Sequence, residues 1–147
     1  MKRTALNLLA TLICMAALTA GALALTPEAL MKAEIPFAFS LGEQELPAGT
    51  YTISRANAQG VVILRNEDLA KNVAFITRTI SPKAVSEHAT LEFHRYGDQY
   101  FLARVQPEGT ATGYEMVTSR RERAAAEGAK NLAGKPVKPE IVRIAKK

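Results

Sequence analysis

The rhythm of turns constrains this chain more than any single residue does. Between residues 33 and 118, clusters of Gly, Pro, Asn and Asp recur about every 8–12 residues. They separate short runs in which apolar and polar side chains alternate. A period of two marks a half-buried strand, and short strands at that spacing build a small sandwich or barrel. A doubly wound α/β fold needs helices between its strands, and no helical stretch lies between these runs. The sequence therefore predicts a mainly β protein: a small antiparallel sandwich or partly open barrel of about six to eight strands, with a C-terminal surface helix. With 147 residues, 48% hydrophobic and 22% charged, the chain suits one domain with an ordinary apolar core.

The runs can be placed. Residues 27–32 read as a short lead-in, so the β domain is predicted over 33–118. Ile35, Phe37 and Phe39 alternate with Pro36, Ala38 and Ser40. Pro36 has no N–H to give a ladder, which puts this strand at an edge or at a start. Residues 44–46 read as a very short strand. Residues 47–49 turn the chain, because Pro presets φ at one corner and Gly accepts positive φ at another. Residues 50–55, 61–66 and 72–80 are further strands, with turns at 57–60 and around Glu67 and Asp68.

The pattern changes at Ser119. "SRRERAAAEGAKN" is rich in helix formers and has almost no apolar stripe, so a surface helix is predicted over 119–133. Ser119 and Glu122 form a capping box, in which the serine caps free amides and the glutamate reaches back. Gly128 or Gly134 ends the helix. Residues 134–147 form a basic tail, in which 141–144 either adds a last strand to an open edge or frays.

The first 24 residues read as a secretory signal peptide. Lys2 and Arg3 precede an apolar run over residues 5–18, and Ala22-Leu23-Ala24 fits the small-x-small pattern of a leader peptidase site. The run is short and interrupted by Asn7 and Thr11, which disfavours a retained anchor. Cys14 follows Ile13 inside the run and does not fit a lipidation site. Cleavage after Ala24 leaves no cysteine, hence no disulfide, thiol nucleophile or thiolate metal site. The predicted location is periplasmic or secreted. Charge is uneven: residues 25–118 hold 8 basic and 11 acidic side chains, and residues 119–147 hold 9 basic and 3 acidic.

"FHRYGDQYF", residues 93–101, is the densest polar cluster and the first place to look for a site. Gly97-Asp98 signals a two-residue hairpin loop of type I′ or II′. Tyr96 then faces Gln99, Arg95 faces Tyr100, His94 faces Phe101, Phe93 faces Leu102 and Glu92 faces Ala103. Alternation puts Leu91, Phe93, Arg95, Tyr100, Leu102 and Arg104 on one face, the one meeting the core. Glu92, His94, Tyr96, Gln99, Phe101, Ala103 and Val105 take the other. The pleat divides the cluster, so His94 and Arg95 do not point at one substrate. Arg95 can lie on the Tyr100 ring.

"IPFAFSLGEQELPAGTYTISR", "LEFHRYGDQYFLARV" and "GYEMVTSRRERA" resemble a family of small secreted bacterial proteins of unknown function. That family's pattern is a PF-F opening with LPAGTY, an F-RYGD-YFL hairpin and a closing SR-E helix start. The resemblance spans about residues 34–125. Glu43 and Gln44 stand where the pattern has an acidic-basic pair, a change confined to a surface turn. The resemblance implies a β-rich exported domain and brings no activity, ligand or catalytic residue.

Assembled chemistry is missing from the sequence. His88 and His94 lie six apart on one regular strand, roughly 20 Å apart, too far to share a metal. No H-E-x-x-H, calcium loop, G-x-S-x-G or phosphate loop occurs. Glu43, Glu45, Glu67 and Asp68 read as solvated turn residues. The sequence thus predicts no enzyme, no cofactor and no metal, but an exported binding or structural module of the cell envelope. A small periplasmic hydrolase or metal-dependent enzyme using His94 is the rival. A third reading has the basic tail meeting an anionic envelope surface. Candidate surface or ligand residues are His94, Arg95, Tyr96, Tyr100, Arg120, Arg121 and Arg123. An envelope polymer or another protein is the candidate partner. Nucleic acid is a poor partner, because no aromatic stacking platform accompanies the charges. Membrane contact is predicted only through the cleaved leader or the tail.

Overall fold

Period-two burial organises ten strands in the computed structural model, which describes residues 27–56, 60–82 and 84–145. The predicted signal peptide, most of the 57–60 turn, Lys146 and Lys147 lie outside the described residues. The strands are β1 (Glu28–Ile35), β2 (Phe39–Leu41), β3 (Gln44–Leu46), β4 (Gly49–Arg55), β5 (Val61–Asn66), β6 (Lys71–Ile80), β7 (Thr90–Tyr96), β8 (Gln99–Gln106), β9 (Gly113–Met116) and β10 (Glu140–Ala145). One helix, α1 (Arg120–Ala133), lies between β9 and β10. The fold is mainly β, as the turn rhythm implies.

β1, β4, β5 and β6 pair antiparallel in that order. β6 is long enough to serve two neighbours: its first half pairs with β5, and Thr77 to Ile80 pair with β9. From β9 the ladder continues through β8 and β7 to β10. The β2–β3 hairpin joins β8 by a parallel bridge between Ser40 and Phe101. The sheet coils but stays open: β1 and β10 approach each other without pairing.

Alternate side chains of these strands fill one core. Ile35, Ile53, Val62, Leu64, Leu91, Phe93 and Val105 are all fully buried in it. Phe39 lies edge-on to Tyr51 and Phe93, at centroid distances of 5.3 and 5.4 Å. The Tyr51 hydroxyl donates to the Pro47 carbonyl at 2.7 Å, which ties the 47–49 turn to the core. Gly60 is needed where it stands. Its φ is +81°, and a Cβ there would sit 2.9 Å from the Thr77 carbonyl oxygen.

Three expectations need correction, and the alternative left open for residues 141–144 is decided. The described residues hold ten strands rather than six to eight. Residues 28–32 are not a lead-in: Met31, Ala33 and Ile35 alternate into the core, so the β domain starts at Glu28 and not at 33. The 35–39 run is not continuous, because β1 ends at Ile35 and β2 begins at Phe39, with Pro36 in the gap. Residues 141–144 do form a strand. Val142 and Ile144 pack against the core opposite Phe93 and Leu91, so the tail belongs to the β domain.

The hairpin of β7 and β8 has its predicted pairing from Tyr96–Gln99 through Phe93–Leu102. Only Gly97 has positive φ in the loop, +61°, which selects type II′ over I′. Beyond Phe93 the register slips. Glu92 faces Arg104 rather than Ala103, which leaves Ala103 as the extra residue of a β-bulge. The slip reverses the facing of everything after it: Val105 enters the core, and Arg104 moves to the outer face.

Candidate functional site: a charged cleft under the helix

Because of the bulge, the outer face of the hairpin carries Glu92, His94 and Arg104 together. α1 closes over them from its first turn. Ser119 caps the helix as predicted, its Oγ accepting from the Glu122 amide at 3.0 Å. The other half of the capping box is not the use made of Glu122. Its carboxylate turns to the sheet, where Oε1 lies 2.7 Å from His94 Nδ1. Glu122 is the one buried residue of the helix. A helix with no apolar stripe is thus docked by polar contacts. Two more come from the β2–β3 hairpin: Glu43 accepts from the Arg120 amide at 2.8 Å, and Glu45 pairs with Arg121 at 2.6 Å. A carboxylate at a helix N-terminus is favoured by the exposed amides and the dipole. Glu43 and Glu45 are therefore not idle turn residues. The αL cap at the far end is Gly134, not Gly128.

The cleft beneath has a volume of about 310 Å³. Arg78, His94, Arg104, Glu115 and Glu122 are its charged or titratable lining, with Glu92 beside them. The charges are interleaved. Glu115 accepts from Arg78 at 2.6 Å and lies 3.5 Å from Arg104. Glu92, mostly buried, lies 3.7 Å from Arg104 and 3.2 Å from Arg143 of β10. The Arg78 hydrogen bond holds the Glu115 carboxyl below its ordinary range, with Arg104 adding to the effect. The hydrogen bond to Glu122 pushes the His94 imidazole above its ordinary range, against the opposing effect of burial. Burial raises Tyr96, and the Glu122 charge raises it further.

The candidate residues separate as the pleat requires. His94 faces the cleft. Tyr96 stays near it, with its ring 6.1 Å from Phe101. Arg95 is turned elsewhere, donating to the Gly97 carbonyl at 2.8 Å and pairing with Glu140 at 3.3 Å. Its guanidinium lies 5.4 Å from the Tyr100 ring centroid, and Tyr100 stacks on Phe37 at 3.9 Å. Arg120 and Arg121 anchor the helix to β2–β3, and Arg123 Nε donates to the Ser119 carbonyl at 3.3 Å. His88 precedes β7 and so does not share a strand face with His94. Its backbone carbonyl accepts from Ser86 Oγ at 2.6 Å, so these two form no Ser–His base pair through that contact. Among the described residues no group of three His, Asp or Glu side chains is placed to hold a metal. No described helix is long and apolar enough to cross a membrane.

Sequence reasoning missed Arg78, Arg104, Glu115 and Glu122 as cleft residues. For Arg104 a signal existed. Leu102 and Val105 are both apolar and three apart, and strict alternation would have left Val105 in the polar face and put a guanidinium into the core. Only an extra residue between them resolves both. No family model, curated protein or solved structure matches the chain.

Proposed function

We propose that the protein is an exported, non-catalytic binding or structural module of the bacterial cell envelope. One observation carries this reading: the ionisable groups of the cleft hold one another. Glu122 takes His94, Glu115 takes Arg78 and Arg104, and Glu92 takes Arg104 and Arg143. Groups committed in this way join α1 and β10 to the sheet. The leader pattern of residues 1–24 and the resemblance over 34–125 support export.

A specific feature favours the hydrolase reading as second choice. A carboxylate on His94 Nδ1 orients the ring and leaves Nε2 for a proton transfer. Two measurements test the pair of readings. The mass of the protein recovered from periplasm and medium is expected to lack the first 24 residues; an intact chain confined to the cytoplasm overturns export. Ester and phosphoester turnover is expected to be the same for the wild type and His94→Gln. Turnover that vanishes in the folded variant overturns the non-catalytic reading.

The basic-tail reading is weakened by Arg121 and Arg143, whose charges are already met by Glu45 and Glu92. Deleting the tail would also remove β10 from the sheet. Changing Lys130, Lys135 and Lys138 to Gln keeps every strand and is expected to leave sedimentation with anionic vesicles unchanged. A loss of binding in that variant restores the tail as the active surface.

A further inference from the structure

A small hollow of about 180 Å³ opens between the tip of the β7–β8 hairpin, the β2–β3 hairpin and the first turn of α1. The parallel pairing of β2 with β8 makes room for it. The two strands share one bridge, Ser40 to Phe101, and no pair follows it toward the tip. Five polar side chains from the two hairpins and the helix line the opening: Ser40, Glu45, Asp98, Gln99 and Arg121.

Ser40 is the unusual one. It turns away from the core, because Phe39 and Leu41 on either side of it turn in. It is nevertheless only 7% exposed. Its hydroxyl has no hydrogen-bond partner among the described residues, although buried polar groups are nearly always paired. Among those residues the unpartnered side-chain atoms sealed from solvent are Arg104 Nε and Gln106 Oε1. Ser40 Oγ is not sealed, so it meets solvent through the hollow that it lines. Asp98 and Gln99 are exposed at the tip, and their side chains make no hydrogen bond or ion pair among the described residues. Glu45 accepts from Arg121 at 2.6 Å through one oxygen, which leaves its other oxygen and further Arg121 N–H groups available.

Charge and size narrow what can fill it. An anion meets two carboxylates. A hard cation wants six or more oxygens and several carboxylates, whereas Glu45 is held by Arg121 and no group of three acidic or His side chains converges among the described residues. An apolar group leaves the Ser40 hydroxyl and the Asp98 carboxylate without partners. What fits is a neutral group dense in both donors and acceptors. Adjacent hydroxyls are such a group, since each donates to a carboxylate and accepts from an N–H or O–H. The volume lies below the range of about 300–1,000 Å³ for ordinary ligand sites, so one ring enters rather than a chain. The Tyr100 ring is stacked on Phe37 and faced by Arg95, so it offers no free aromatic face and binding is weak.

We infer that this hollow is a subsite for one uncharged hexose ring, whose adjacent hydroxyls donate to Asp98 and Glu45 and accept from Ser40, Gln99 and Arg121. The inference rests on the reading of the protein as a binding module and gives that module a ligand class. It requires neither export nor an inert His94.

NMR titration of the isotope-labelled full chain tests it, with the methyl α-glycosides of glucose, galactose and mannose and the corresponding free hexoses as probes. At least one sugar is expected to shift the Gln99 side-chain amide, the Arg121 Nε–H and the backbone amides of residues 98–100 together, and to saturate in the millimolar range. The His94 signals are expected to stay in place, which separates the hollow from the cleft. Asp98→Asn keeps a turn-forming residue and removes the charge; it is expected to weaken binding by about tenfold. Ser40→Ala removes a hydroxyl without a partner, so stability is expected to hold while binding weakens by about threefold or more. No saturation by any of these sugars into the tens of millimolar overturns the inference, as does binding that survives both variants or equally tight binding of glycerol. Saturation by calcium ion without saturation by a sugar overturns it in favour of a cation site. Binding of a methyl glycoside assigns a chain-linked unit as the source, and binding of free hexoses alone assigns a free sugar; either sustains the subsite. These outcomes are distinct from those of the mass and turnover measurements, which read export and catalysis.

Discussion

The two faces of the β7–β8 hairpin share one backbone ladder and obey different physics. The inner face presents Leu91, Phe93, Leu102 and Val105, all buried. Burial of apolar area is non-directional, so this face stabilises whatever apolar surface packs on it. The outer face presents Glu92, His94 and Arg104, whose partners must stand at particular angles and distances. Those partners come from α1, β9 and β10. The difference teaches a division of labour: the inner face builds the sheet's core, and the outer face decides where the helix docks. β10 uses both, with Val142 and Ile144 inward and Arg143 outward.

Breaking the inner face is expected to have the largest effect. Phe93→Ala removes a fully buried ring that meets Phe37 and Phe39 edge-on, and is expected to cost about 3–5 kcal/mol in chemical denaturation. A cost near that of an exposed residue would show that the core collapses around the gap. On the outer face, His94→Ala leaves the buried Glu122 carboxylate without its partner. It is expected to cost about 1–3 kcal/mol and to raise amide exchange along α1 far more than along β4. Uniform exchange would mean that the pair does not dock the helix.

The same pair gives a pH signature. The folded state holds His94 above its ordinary value of 6.5, chiefly through Glu122. Glu92 adds to this pull and Arg104 opposes it. The unfolded chain thus releases the proton first as pH rises. The stabilisation is complete below the ordinary histidine range and is lost as pH climbs from that range through the raised value. Stability of the wild type relative to His94→Gln is expected to fall across that window; a flat difference contradicts a charged pair. Ser119→Ala removes the helix cap and is expected to cost about 1 kcal/mol. Arg143→Ala is the smallest change, within about 1 kcal/mol, because its side chain is 64% exposed and solvent screens the pair. A larger loss would show that the outer ion pair, and not Val142 and Ile144, holds β10.

Much of the fold was legible in local pattern. β3, β4, β5, most of β6 and the hairpin from Phe93 to Leu102 follow from alternation and turn residues, because those are short-range properties of the chain. β1 was less legible: Leu30 and Lys32 alternate with Met31 and Ala33, but a weak pattern directly after a long apolar run reads as lead-in. The candidate site was legible in one residue, His94. Arg78, Glu115 and Glu122 lie on β6, β9 and α1, and nothing in their own surroundings marks them as neighbours.

The amino-acid sequence by itself determined that this chain makes short strands joined by tight turns, that the hairpin turns at Gly97-Asp98, and that a capped helix starts at Ser119. Each depends on φ preferences, alternation or a cap within a few residues. Tertiary structure alone decided the ends of the argument: that Glu122 bonds to His94 rather than back to its own cap, that Ala103 bulges so that Arg104 turns outward, and that residues 140–145 join β7. Each is a choice between local arrangements of similar cost, and it was settled by partners distant in sequence. A carboxylate with two available donors takes the one that also fills its buried surroundings. A strand with apolar residues three apart admits an extra residue rather than bury a guanidinium among Leu91, Phe93 and Leu102.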